Sequence, residues 1–246
     1  MWKTWHVLMN TLAELCAYID SDPGLSSLRN RVAPVLSVDP GHDMGHVLRV
    51  ALWTQRLGGN EVSPREAVAA ALCHDIVNVP KNSPERAQAS SLSAAAARRF
   101  LPEYGFTEAS IDVIADAIRD HSFSRGAVPS TPLGRALQDA DRLDALGAIG
   151  IMRNIGTGAR IGAKYLDFND PWATARKLDD ITFSLDHFFT KLLTLAKTMC
   201  TLAGRDEAVR RIRFMESFLD TLAEEIASPR PKDNDEHSAN VAPYKH

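Results

Sequence analysis

Apolar residues recur along this chain at helical spacing, and capping residues and prolines mark the breaks between the periodic runs. Ser63-Pro64-Arg65-Glu66 supplies a capping residue, a proline for the first helical position and a glutamate three residues after the cap. A helix is predicted from there to about Ile76, ending before Pro80. Upstream, Val47, Val50, Ala51 and Leu57 mark another helix, with His46 and Arg49 on one of its faces. An alanine-rich run over 92–101 predicts a third, and Ile111, Ile114, Ala115 and Ile118 form the stripe of a fourth that leads into His121. Thr131-Pro132 opens a helix whose stripe is Leu133, Leu137, Asp141, Asp144 and Ala148, so two carboxylates fall on the inward line. Leu185, Phe188, Leu192, Ala196 and Met199 predict one long helix, and Ile212, Met215, Leu219, Leu222 and Ile226 another. Residues 153–171, rich in glycine and poor in stripe positions, are expected to form a mobile loop over a site. Period-two runs and Asn-Gly or Asp-Gly turns are absent, so the fold is expected to be all-α, a helical bundle. Periodicity stops near Ser228, which predicts one domain over 1–228 and a disordered tail over 229–246.

Composition narrows the function classes. With 246 residues, 45% hydrophobic and 24% charged, the chain is long enough to bury roughly 70% of its extended surface and hold polar groups inside. A formal charge of −3 gives no global attraction for nucleic acid or an anionic membrane, and neither partner is expected. No signal-peptide pattern or membrane-length apolar stretch is found, and Cys16, Cys73 and Cys200 are too few and too scattered for a disulfide framework or a thiolate zinc site. A soluble cytoplasmic protein is expected.

The candidate chemistry lies in four groups: His46, the adjacent pair His74-Asp75 at the end of the second helix, and Asp141 on the inward stripe. A buried carboxylate such as Asp141 needs a metal, an arginine partner or a bound proton, because desolvation disfavours its charge. Two imidazoles and two carboxylates suit Mn²⁺, Fe²⁺, Ni²⁺, Mg²⁺ or catalytic Zn²⁺ and leave positions open for water and a phosphate oxygen. Spacing alone leaves the packed structural role of these residues equally open.

The longer motifs add to this reading. Gly41-His42-Asp43-Met44-Gly45-His46-Val47-Leu48-Arg49-Val50, Ala71-Leu72-Cys73-His74-Asp75-Ile76, His121-Ser122-Phe123-Ser124 and the block from Gln138 to Gly150 resemble a bacterial subgroup of single-domain HD-domain metal-dependent phosphohydrolases. His187-Phe188 and Lys191-Leu192-Leu193 are similar to its C-terminal portion, so the resemblance spans roughly 40–225. It implies a helical HD-domain bundle with additional C-terminal helices. It also implies a divalent ion, Mn²⁺ first among those above, held by His46, His74, Asp75 and Asp141. The substrate class implied is a nucleotide or another small phosphate ester.

Around these ligands, Arg49, Lys81 and Arg86 are candidates to clamp phosphate oxygens. Arg160 and Lys164 are weaker ones. Asp75, His121 and Asp144 are the catalytic candidates. His121 ends the stripe of its helix, from which it could protonate a leaving oxygen, and Asp144, one turn beyond Asp141, could orient a ligand histidine or the nucleophilic water. His42 and Asp43 are further candidates for such support. The expected activity is cleavage of a phosphate or pyrophosphate bond of a nucleotide by metal-activated water. A cyclic-nucleotide or dinucleotide phosphodiesterase and a non-catalytic nucleotide-sensing module are the alternatives.

Overall fold

The computed structural model describes residues 9–36, 41, 43–77, 88–122 and 125–231. His42, Lys81, Arg86 and most of the expected tail lie outside the described residues. Among the described residues there are ten α-helices and no extended strand: α1 Leu12–Ser21, α2 Pro23–Val32, α3 Met44–Gly58, α4 Pro64–Cys73, α5 Ala89–Phe100, α6 Glu108–Asp120, α7 Pro132–Asp144, α8 Gly147–Ile161, α9 Asp186–Thr190 and α10 Leu202–Glu225. The expected all-α fold is observed. No described helix is long and apolar enough to cross a membrane.

Local chemistry sets several helix starts. Thr11 and Glu14 form a reciprocal capping box at α1, Asp22 caps α2, and Thr131 caps α7 ahead of Pro132. The box expected at α4 does not form: the Ser63 side chain caps nothing, and Glu66 instead accepts a hydrogen bond from Ser110 Oγ on α6 at 2.7 Å. A tertiary partner has replaced a local one.

The helix α7 is the axis of the molecule, packed against α3, α4, α6, α8 and α10. Leu133, Leu137 and Ala140 join one apolar cluster, built with α1 to α6, while Leu143 joins a second, built with Phe188, Leu192, Leu195 and α10. Burying each such leucine contributes about 1.5–3 kcal/mol. A helix covered on nearly all sides must satisfy its polar side chains internally. Gln138 donates to the carbonyls of Asp120 and Ala127, both at 2.9 Å. Asp139 accepts from the Cys200 and Thr201 backbone N–H groups at 2.8 and 2.7 Å, and Arg142 donates to the Thr198 carbonyl. The block from Gln138 to Gly150 is thus both core and polar network.

Three further expectations are corrected. The first half of the predicted loop at 153–171 is helical, since α8 runs to Ile161 and packs close through its buried glycines Gly147, Gly150 and Gly158. The chain beyond α8 is a tied strap: Lys164 and Phe183 form an isolated parallel bridge, Asp170 accepts from Thr174 and Ala175, and buried Trp172 donates to the Ser228 carbonyl at 2.9 Å. The long helix expected over 185–199 is broken at Lys191, where φ −139° and ψ −58° separate α9 from a 3₁₀ segment, although Leu185, Phe188, Leu192 and Met199 are buried as expected. Finally, α7 ends at Asp144, so Ala148 belongs to α8.

Candidate metal centre

Three histidines converge by one device. Each spends Nδ1 on a fixed acceptor behind it, which leaves Nε2 to face the others. His46, on the first turn of α3, pairs its Nδ1 with Asp144 Oδ2 at 2.7 Å. His74 and His121 stand immediately after the last residues of α4 and α6 and turn Nδ1 back onto the carbonyls of Ala71 and Ile118, at 2.7 and 2.6 Å. These are carbonyls that a helix end leaves without an intrahelical partner. The helix α4 therefore stops at Cys73, short of the expected Ile76, and the turn after it carries His74 and Asp75.

The Nε2 atoms of His46 and His74 are 3.3 Å apart, and Asp141 Oδ1 lies 3.6 Å from the first and 4.0 Å from the second. Asp75 Oδ2 is 3.6 Å from His74 Nε2, and its Oδ1 is 3.7 Å from His121 Nε2. His46, His74 and Asp75 together offer ligand atoms within 4.8 Å of one another. All three imidazoles are buried, while Asp75 and Asp141 are about one-third and one-quarter exposed at 31% and 27%. Burial pushes the His74 imidazole down, toward the neutral form that ligates metal. The carboxyls of Asp75 and Asp141 are held below the usual range, because the surrounding imidazoles outweigh desolvation. Imidazole Nε2 atoms converging on carboxylate oxygens are the donor set of a divalent ion, so these residues fit one.

Behind the ligands lies a charged support. Asp144 is buried and accepts from His46, from Arg49 Nε at 2.7 Å and Nη2 at 3.0 Å, and from Arg153 Nη1 at 2.8 Å. The Arg153 Nη2 group also donates to the Gly41 carbonyl at 2.6 Å. Asp43 caps α3 by accepting the His46 N–H at 2.8 Å. Asp144 thus contacts a ligand rather than the cleft, and Arg49 is turned onto Asp144 instead of a phosphate position. Arg153 is a participant that sequence reasoning missed. Its signal was its place three residues after Gly150, read there as loop.

The centre opens into a cleft of about 360 Å³, within the size range of small-ligand sites. Asp75, His121, Asp141 and Arg142 line it together with Arg153, Asn154 and Thr157 of α8, and with Asp180, His187 and Lys191 of the strap and α9. Arg160 and Lys164 do not line it and are exposed. Buried Cys73, beside the ligands, has its thiol pushed up by desolvation and is inert as a nucleophile.

Comparison with known proteins identifies the family. Residues 44–146, from the first residue of α3 to just beyond α7, match the HD domain family. The uncharacterized protein YpgQ of Bacillus subtilis is 35% identical over 192 residues, which cover 76% of this chain and 85% of YpgQ. The crystal structure of Bacillus subtilis YpgQ in complex with ADP superposes with a TM-score of 0.64 at 28% identity, over 82% of this chain and 97% of that one. An HD-superfamily hydrolase from Bacillus thuringiensis superposes at 0.61 with 30% identity, over 81% of this chain and 95% of its own. The chain belongs to the HD-domain superfamily.

Proposed function

We propose that this protein is a metal-dependent phosphohydrolase that cleaves a phosphate or pyrophosphate bond of a nucleotide in the cytoplasm. The observation that carries the reading is the convergence of His46, His74, Asp75 and Asp141 beside a ligand-sized cleft. These four residues would hold the ion, with Mn²⁺ first among the divalent ions that the donors suit. Similarity to YpgQ, whose structure is a complex with ADP, supports a nucleotide as substrate. The free thiols Cys16, Cys73 and Cys200 accord with a reducing compartment.

A divalent ion supplies activation of water near neutral pH and neutralisation of phosphoryl charge. The chain's own residues set the geometry. Asp144 fixes the tautomer and ring plane of His46, and the Ala71 carbonyl does the same for His74. His121, in the cleft wall and 3.7 Å from Asp75, would protonate the leaving oxygen. Lys81 and Arg86, on the segment after α4, are proposed as phosphate contacts.

The test is release of phosphate and pyrophosphate from nucleoside mono-, di- and triphosphates by chelated and Mn²⁺-reloaded protein. Release restored by Mn²⁺ and lost in Asp75→Ala is expected; equal release by wild type and variant overturns the reading. The third imidazole, His121, favours a second reading as a phosphodiesterase with an additional ion, because its Nε2 shares Asp75 with His74. Turnover of cyclic nucleotides in preference to the other substrates would select it.

A further inference from the structure

A second cavity, of about 450 Å³, lies beside the turn that carries His74 and Asp75 and shares no lining residue with the cleft. Ile76 and Val77, the two residues after that pair, form one wall. Val32 at the end of α2 and Val35 on the 3₁₀ turn Ala33–Val35 form another, and Ala96 and Phe100 of α5 a third. The Val77 N–H donates to Ser93 Oγ of α5 at 3.1 Å, which ties the first wall to the third. Val35 is 55% exposed, an apolar area that a ligand would cover.

Charge enters this lining at Arg31, Arg99 and Glu103. Arg31 is already engaged: its guanidinium lies 4.9 Å from the Phe100 ring centroid, and its Nη1 is 3.7 Å from Glu103 Oε2. Arg99, exposed in the last turn of α5, has no carboxylate partner among the described residues. One guanidinium fork matches one carboxylate, whereas a di- or triphosphate would bring more negative charge than it neutralises. No hydroxyl or amide side chain lines the cavity among the described residues, so the polar edges of a nucleoside would be buried without side-chain partners. The aliphatic walls suit a methylene chain instead.

We propose that this cavity binds an aliphatic monocarboxylate of medium chain length, with the carboxylate on Arg99 and the chain against Val32, Val35, Ile76 and Val77. The chain packs on the two residues that follow His74-Asp75 and steadies their turn, so occupancy strengthens metal binding. By linkage, the ion strengthens carboxylate binding by the same factor. The binding site does not rest on the phosphohydrolase reading; the coupling rests on the assignment of His74 and Asp75 as metal ligands.

The test is calorimetry of octanoate and decanoate on the full-length protein, with decanol and decyltrimethylammonium as neutral and cationic counterparts. Decanoate is expected to bind about tenfold more tightly than octanoate, as for burial of two further methylenes. Decanol should bind about tenfold more weakly than decanoate, and the cation not at all. Arg99→Gln should weaken decanoate binding about tenfold, as for loss of a charge-assisted hydrogen bond, and Arg99→Lys should recover part of it. Ala96→Phe, which fills the lumen, should abolish binding, and Arg213→Gln, on an exposed residue outside the cavity, should change nothing. Thermal midpoints matching wild type will show that the variants are folded. No decanoate binding by wild type, decanol binding as tight as decanoate, or binding unchanged in both Arg99→Gln and Ala96→Phe overturns the site. In chelator competition, saturating decanoate is expected to raise Mn²⁺ affinity about fivefold in wild type and not in Ala96→Phe. Equal Mn²⁺ affinity with and without decanoate overturns the coupling alone, and failure of wild type to bind Mn²⁺ overturns the ligand assignment with it. Neither measurement involves hydrolysis, so the phosphohydrolase reading stands or falls separately on phosphate release.

Discussion

Asp144 Oδ2 accepts from Nδ1 of His46 at 2.7 Å, and the same carboxylate gathers Arg49 and Arg153. One buried anion therefore orients a candidate ligand and neutralises two partly buried guanidinium groups. Asp144→Asn keeps the shape and removes the charge. The expected outcome is a loss of about 3 kcal/mol in urea unfolding, since breaking a buried pair strands its partners. Mn²⁺ affinity, read by chelator competition, should fall about 10–100-fold.

Removal of metal should abolish hydrolysis without unfolding the chain. The ligands project from α3, the turn that closes α4, and α7, which are packed by an apolar cluster that needs no ion. Helical circular dichroism should persist in chelator. The thermal midpoint should fall about 5–10 °C relative to protein in Mn²⁺ at a hundredfold excess over its dissociation constant. Loss of the helical signal on chelation would instead assign the ion a structural role.

Asp139 and Asp141 separate stability from function two positions apart on α7. Asp139 accepts three hydrogen bonds, from the Cys200 N–H, the Thr201 N–H and Thr201 Oγ1, and so ties the start of α10 to the central helix. Asp139→Ala is expected to cost about 2–3 kcal/mol, because it orphans buried donors, and to leave Mn²⁺ affinity within about twofold of wild type. Asp141→Ala should do the reverse, with Mn²⁺ affinity lost and the urea midpoint nearly unchanged. Calorimetry and unfolding on the two variants check both halves.

Gly150 shows how closely α8 meets the preceding turn. A Cβ there would lie 2.2 Å from the Ala145 carbonyl oxygen, a backbone atom that cannot step aside. Gly150→Ala is expected to lower stability by about 2–3 kcal/mol through overpacking, seen as a reduced urea midpoint. Gly156→Ala, which would meet nothing within 4 Å on the same helix, is the matched control and should not destabilise.

Much of this was legible in the chain. The start at Thr131-Pro132, the stripes of α3, α6 and α7, and the order His46, His74-Asp75, Asp141 are local or periodic signals, and the helices obey them. The errors have physical causes. Glycines at 156, 158 and 162 concealed α8, because propensity argues against a helix that tertiary packing nonetheless stabilises. Periodicity likewise carried no warning of the break at Lys191, since a 3₁₀ turn buries nearly the same stripe.

The amino-acid sequence by itself determined the helices, their apolar faces and the kinds of donor available, since these depend on neighbours within a turn or two. Only the tertiary structure decided how the donors are used. His46 and Asp144 are 98 positions apart, and Arg153 and Gly41 are 112 apart, so no local rule links them. The packing of α7 against its neighbours brought the three imidazoles together and turned Arg49 onto Asp144. It also placed Asp180, His187 and Lys191 in the same cleft as Asp75. Such contacts arise from burying many apolar faces at once, a sum over the whole chain that no single segment carries.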